Sequence, residues 1–244
     1  MNFGDRRPGI HGDNSSPDIL LLHYTGMEGD PLGNGALKWL CCEESGVSCH
    51  YFIRPDGETL QLVAEDKRAH HAGVGLWEGD PDTNSRSIGI EIVNGGHPAG
   101  LPDFPEEQMI AVADLCKDIV ARHNIKPQRV LAHSDIAPGR KIDPGEKFNW
   151  AWLTEQGVGH WVEPVAIRSG RFFQRGDAGE PVEALQSMLS LYGYGLEISG
   201  EFDTPTHLAV EAFQRHFRPE RVDGVADIST IETLHRLLKS LPPV

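Results

Sequence analysis

The stretch 132–145 carries His133, Lys141 and Asp143 among Pro138, Gly139 and Pro144, directly after the apolar pair Val130 and Leu131. Imidazole and carboxylate are good zinc ligands, and a nearby ammonium can stabilise negative charge developing on a reacting oxygen. Loops held by a rigid strand are where such groups concentrate. The chemistry indicated is hydrolysis at a zinc ion, which needs three protein ligands and one position left open for water. His23, which ends the apolar run 19–22, could join His133 and Asp143 as the third ligand. Glu91, inside the stretch 87–93, could take a proton as general base and hand it to a leaving amine. Lys141 could steady the oxyanion.

Each placement also has a plainer reading when taken singly. The chain has 12 histidines, and a histidine is more often a packed or surface residue than a ligand. Asp143 before Pro144 can open a turn, and Lys141 can be a solvated loop charge. The elements that must bring these residues together are legible as patterns. The apolar run 19–23, bounded by Ser16-Pro17 and Gly26, predicts a buried strand. Segments 50–53 and 59–63 around Arg54-Pro55-Asp56-Gly57 predict a β-hairpin. Stretch 87–93 alternates, which sets Glu91 on the face opposite Ile90 and Ile92. Met109, Val112, Ala113, Cys116, Ile119 and Val120 predict a helix over about 105–123, with Asp103 and Glu106 around Pro105 as its start signal. Strand, helix and strand in this order predict an α/β fold with a mixed central β-sheet flanked by helices. Strand ends are where a site assembles in such a sheet.

A Gly-rich change begins near Gly157 and continues through Gly170, Gly176 and Gly179. Residues 1–160 are therefore expected as the catalytic domain, 161–176 as a linker and 177–244 as a small three-helix domain. Its helical stripes are Val182, Leu185, Leu189 and Tyr192, then Ala209, Val210, Phe213 and Phe217, then Ile231, Leu234, Leu237 and Leu238. With 39% hydrophobic and 24% charged residues, the composition is that of a soluble globular protein. The net charge of −14 argues against a nucleic-acid partner. Cys41, Cys42, Cys49 and Cys116 form no CxxC pair and read as thiols, with a Cys42–Cys49 bridge left open for an oxidising compartment. No apolar run spans a membrane, and the first eight residues lack the apolar core of a secretory signal. A monomer is expected, in the periplasm or cell envelope if a leader is missing and in the cytoplasm otherwise.

Several motifs occur together in one order: Leu22-His23-Tyr24-Thr25, His50-Tyr51-Phe52-Ile53, Ala69-His70-His71-Ala72-Gly73, Ser87-Ile88-Gly89-Ile90-Glu91 and the loop from His133 to Gly145. Over residues 5–155 the chain resembles zinc-dependent N-acetylmuramoyl-L-alanine amidases of the AmpD/AmiD type, relatives of phage lysozyme-amidases and peptidoglycan recognition proteins. The resemblance implies that His23, His133 and Asp143 bind zinc, that Glu91 is the catalytic carboxylate and that Lys141 assists the transition state. It also puts His71, Trp77 and Asn84 in the segment lining the muropeptide groove. Trp77 could stack on a sugar face or anchor its loop. His50 could touch substrate or be a packed strand histidine. Cys49 departs from relatives that use a tyrosine there, which favours the subgroup relying on the glutamate.

The C-terminal motifs Val182-Glu183-Ala184-Leu185-Gln186, Gly200-Glu201-Phe202-Asp203, Ala209-Val210-Glu211-Ala212-Phe213-Gln214 and Val222-Asp223-Gly224-Val225 resemble a three-helix peptidoglycan-binding domain. Such a domain would hold an enzyme on an insoluble polymer. The implied activity is bacterial: zinc-activated water would cut the amide between N-acetylmuramic acid, or its 1,6-anhydro form, and L-alanine in peptidoglycan or muropeptides. A peptidoglycan-binding or sensing protein without turnover is the alternative, against which the complete set of five site residues weighs. A peptidase cutting within the stem peptide is a second.

Overall fold

The computed structural model describes residues 1–10 and 16–241; residues 11–15 of the expected catalytic domain and 242–244 of the expected three-helix domain lie outside the described residues. The strands are β1 (Phe3–Asp5), β2 (Ile19–Tyr24), β3 (Tyr51–Ile53), β4 (Thr59–Gln61), β5 (Lys67–Ala69), β6 (Ser87–Ile92) and β7 (Val130–Ala132). The helices are α1 (Asn34–Cys41), α2 (Thr83–Arg86), α3 (Glu106–His123), α4 (His133–Ile136), α5 (Trp150–Glu155), α6 (Glu180–Tyr192), α7 (Thr204–Phe217) and α8 (Ile228–Ser240). The main sheet runs β4-β3-β6-β2-β7, while β1 and β5 form a separate antiparallel pair. Strands β3, β6, β2 and β7 are mutually parallel, and the hairpin partner β4 adds an antiparallel edge. The α/β expectation, a mixed sheet flanked by helices, holds.

The run 19–22 has no polar face because β2 is covered on both sides, as central parallel strands are. Leu20 and Leu22 pack with Ile88, Ile90 and Ile92 against the stripe Met109, Val112, Ala113, Cys116 and Ile119 of α3. Buried Gln108 of that helix donates to the carbonyls of Ile53 and Val93, fixing α3 across two strand ends. The helix ends in left-handed Asn124. Its start differs from expectation. Pro105 is the N-cap with no side-chain bond, and Asp103 instead pairs with Lys147 at 3.1 Å.

The opposite parity of β2 faces the C-terminal helices. Ile19, Leu21 and Leu131 share one apolar cluster with Trp77, Leu185, Val210 and Phe213. Helices α7 and α8 begin the same way: the caps Asp203 and Asp227 accept from the backbone of Thr206 and Thr230. Buried Gln186 and Gln214 then tie the preceding turns, each accepting from a glycine N–H, Gly200 and Gly224. This G-x-x-D-x-x-T pattern occurs twice in the sequence, at 200–206 and 224–230. Residues 161–176, expected as a linker, are held along the surface. Trp161 and Val162 pack on the core, the Val165 N–H donates to Thr233, and Phe173 bridges to Ala226. All four cysteines are free, so the bridge left open between Cys42 and Cys49 is not formed. No helix among the described residues is long and apolar enough to cross a membrane.

Candidate active site

Register decides which residues meet. His23 on β2 pairs with Glu91 on β6, and paired residues of parallel neighbours point to the same side. That side is the one away from α3, as the alternation 88, 90, 92 against 87, 89, 91 requires. β7 then stops at Ala132, and the chain turns directly into the short helix α4, whose first residue is His133. A loop was expected from this point; the helix aims the imidazole back across the sheet end. Asp143 returns beside it, its carbonyl accepting from the Ser134 N–H at 3.1 Å.

Three inner donor atoms converge. His23 Nδ1 and His133 Nδ1 are 2.8 Å apart, and Asp143 Oδ2 lies 3.1 and 3.0 Å from them. All three side chains are buried, and their donor atoms lie within 4.8 Å of one another, a group that could hold a metal ion. The outer nitrogens set the tautomers. His133 Nε2 donates to the Ala72 carbonyl at 2.9 Å, leaving Nδ1 bare. On the His23 side the assignment runs backwards along a chain. The Ser87 hydroxyl donates to the Thr83 carbonyl at 2.5 Å, so its oxygen accepts from His71 Nε2 at 3.3 Å. His71 Nδ1 is then an acceptor, and His23 Nε2 donates to it at 2.9 Å. His23 Nδ1 is left bare as well.

Electrostatics favour the same state. Burial, and then the neighbouring His133, lower the His23 pKa to about 4, so the imidazole is neutral near pH 7. Burial acts to raise the Asp143 pKa, but when a proton sits on the adjoining His133 or His23 ring its charge and hydrogen bond outweigh burial and hold Asp143 below the usual carboxylate range, so the carboxylate is the group of the three that gives up its proton first. Glu91 moves the other way. Burial first and the negative charge of Asp143 second raise it to about 8, with Lys141 opposing. Its Oε2 is shut off from solvent and has no hydrogen-bond partner among the described residues. These groups open onto a cavity of about 490 Å³ whose wall includes Tyr24, Trp39, His71, Glu91 and Lys141.

The remaining expected contacts fall differently. His71 lines the cavity, but both its nitrogens are used in the chain just described. His50 is fully buried, accepting from the Gly89 N–H and donating to the Lys67 carbonyl, so no ring atom is free for a substrate. Asn84 is buried, its Oδ1 accepting from the N–H groups of His71 and Ala72. Trp77 is fully buried edge-on against Tyr194, ring centroids 5.2 Å apart, and presents no face to the groove. His50, Trp77 and Asn84, expected as substrate contacts, are all buried, and none of the three lines this cavity. Cys49 is a packed thiol whose pKa is pushed up by burial and by Glu91. Two positions stood in the 87–91 motif without a role of their own, Ser87 and Gly89. Both share the parity of Glu91, which was the available signal. A β-carbon at Gly89 would overlap the His71 ring, so the close approach needs glycine there.

Comparison with known proteins accords with this geometry. Residues 13–146 match the N-acetylmuramoyl-L-alanine amidase family, and 178–234 match a peptidoglycan-binding domain family. AmiD of Escherichia coli (strain K12) is 37% identical over 236 residues, which cover 91% of this chain and 82% of AmiD. The chain belongs to the N-acetylmuramoyl-L-alanine amidase family. Among solved structures, the amidase is similar to E. coli AmiD in complex with anhydro-N-acetylmuramic acid-L-Ala-D-gamma-Glu-L-Lys, with TM-score 0.77, 33% identity and coverage of 96% of this chain and 93% of that one. It is also similar to AmpDh3 of Pseudomonas aeruginosa in complex with an anhydromuramic pentapeptide, with TM-score 0.77, 30% identity and coverage of 100% and 99%. Both similarities span the amidase's sheet and its C-terminal helices.

Proposed function

We propose that this amidase hydrolyses the amide between N-acetylmuramic acid, or its 1,6-anhydro form, and the L-alanine of the stem peptide. The observation that carries the reading is one buried point where two bare imidazole nitrogens and a carboxylate oxygen converge, with the unpartnered Oε2 of Glu91 on the adjoining strand. Two nitrogens and one oxygen, each fixed by an outer hydrogen bond or an ionised state, suit zinc as His23, His133 and Asp143 ligands. When bound, zinc supplies a Lewis acid and makes water nucleophilic near neutral pH. The protein's own groups do the rest. Glu91, with its raised proton affinity, takes the proton of the attacking water and delivers it to the departing L-alanine nitrogen. Lys141, on the cavity wall, stabilises the charge that develops on the carbonyl oxygen. His71 acts through His23 by holding its tautomer.

Residues 1–160 carry this chemistry in our reading. Residues 177–244 hold the enzyme on peptidoglycan, with 161–176 joining the two. That pairing suits work at the bacterial cell envelope, where the polymer and its fragments are found together. Digestion of muropeptides by the purified protein, read by mass spectrometry, tests the proposal. An intact peptide beginning with L-alanine should appear, stop on chelation and return with zinc. Absence of any free peptide from zinc-loaded protein would favour the binding or sensing alternative, and cuts within the stem would identify a peptidase.

A further inference from the structure

The carboxylate of Asp135 is fully buried, two residues beyond His133, and it takes no part in the site itself. Oδ2 accepts from the Ala132 N–H at 2.8 Å, which closes the turn that carries His133. Its other two donors come from the C-terminal helices. The Tyr194 hydroxyl donates to Oδ1 at 2.7 Å, and His216 Nδ1 donates to Oδ2 at 2.6 Å. His216 is itself clamped, its ring stacked between Trp150 of α5 and Phe217 of α7 with centroids 3.8 Å away on each side. A buried charge is tolerated only where it is fully hydrogen-bonded. Tyr194 and His216 therefore supply two of the three hydrogen bonds that the described residues make to the carboxylate closing the turn that presents His133. The same turn reaches Asp143, because the Ser134 N–H donates to the Asp143 carbonyl.

We propose that Tyr194 and His216 of the peptidoglycan-binding region are positioning residues for the metal ligands, acting through Asp135 and helix α4. The C-terminal helices are then a structural part of the hydrolytic centre as well as a polymer tether. This rests on the reading that His133 is a zinc ligand. Outer-shell partners of a metal site typically contribute 10–100-fold in affinity. The full-length variants Tyr194→Phe and His216→Leu should release zinc to a chromophoric chelator about 10–100-fold more readily than wild type. Their kcat on a soluble muropeptide should fall while KM and co-sedimentation with insoluble peptidoglycan stay unchanged. His216→Asn, whose amide nitrogen can replace the Nδ1 donor, should recover zinc retention.

Unchanged zinc affinity in both Tyr194→Phe and His216→Leu overturns the proposal, and so does a lowered melting temperature unaccompanied by zinc loss. His133→Ala, run in parallel, separates the two readings. If it binds zinc like wild type, the metal-ligand assignment itself fails. If it loses zinc while the other variants keep it, the positioning role alone is wrong.

Discussion

Glu91→Gln separates the chemical use of this side chain from its structural cost. The substitution keeps the shape and removes the base. General acid–base catalysis contributes about 10²–10⁴-fold, so kcat should fall by that factor, roughly 3–5 kcal/mol of transition-state stabilisation. Stability should move the opposite way. The carboxyl is raised from 4.5 to about 8 by burial and by Asp143, so folding of the metal-free protein requires it to hold a proton that the unfolded chain has released. Below the lower value both states are protonated and nothing is lost; between the two, stability falls as pH rises, and above the higher value it levels off. At pH 7 the difference is about 2.5 pH units, or roughly 3 kcal/mol. Glutamine has no such term, so metal-free Glu91→Gln should melt about 6–12 °C above wild type at pH 7 and close to it at pH 4.5. Steady-state turnover of a muropeptide, zinc content and calorimetry at the two pH values make up the assay. A kcat within about tenfold of wild type would refute proton transfer by Glu91. Equal melting temperatures at pH 7 would refute the raised proton affinity of Glu91, and loss of zinc would move Glu91 into the ligand set.

Three further outcomes follow from the same geometry. Gly89→Ala pushes a methyl into the His71 ring, breaks the chain that fixes His23, and should weaken zinc binding by about 10–100-fold; a normal metal content in dialysed protein would show that the chain is dispensable. Lys141→Met should lower kcat by about 10–10³-fold with zinc retained, and an unchanged kcat would return Lys141 to an ordinary loop charge. Glu65 tests electrostatics away from the site. Burial raises its pKa, but bonds from His123, Tyr51 and Arg122 outweigh that and lower it to about 2. Its contribution is therefore present above pH 4.5 and lost as pH falls towards 2. Wild type should exceed Glu65→Gln by roughly 1–2 kcal/mol near neutrality, a partly solvated cluster giving less than the full linkage value. The two should converge in acid denaturation, and a constant gap would contradict the assignment.

What was legible in the sequence was whatever local periodicity controls. The run at 19–22, the alternation at 87–93 and the stripe of α3 each follow from which faces must be apolar, and the observed elements are β2, β6 and α3. The same logic put Glu91 on the face that His23 shares. Partners distant in sequence were not legible. Trp77 looks like a groove aromatic until Tyr192 and Tyr194, more than a hundred residues later, enclose it. Asn84 and His50 look free until backbone N–H groups claim them. Asp103 has the spacing of a helix cap, yet Lys147 takes its carboxylate instead.

The two parities of β2 explain why the centre and the C-terminal helices are hard to separate. Leu20 and Leu22 need α3, so Ile19, Leu21 and His23 must face the other way. Two of those three are apolar and need cover, which Trp77, Val210 and Phe213 supply; the third is buried next to Tyr24, the last residue of the strand, which lines the cavity. One strand thereby sets both the depth of the His23 imidazole and the seat of the C-terminal helices. A one-residue slip of β2 would send His23 into the α3 core and Leu22 towards the cavity, which is why its register with β6 and β7 is pinned along most of its length. The cover that the apolar residues require also carries Tyr194 and His216 to Asp135. On this view, packing of the sheet's second face and alignment of His133 are consequences of the same contact.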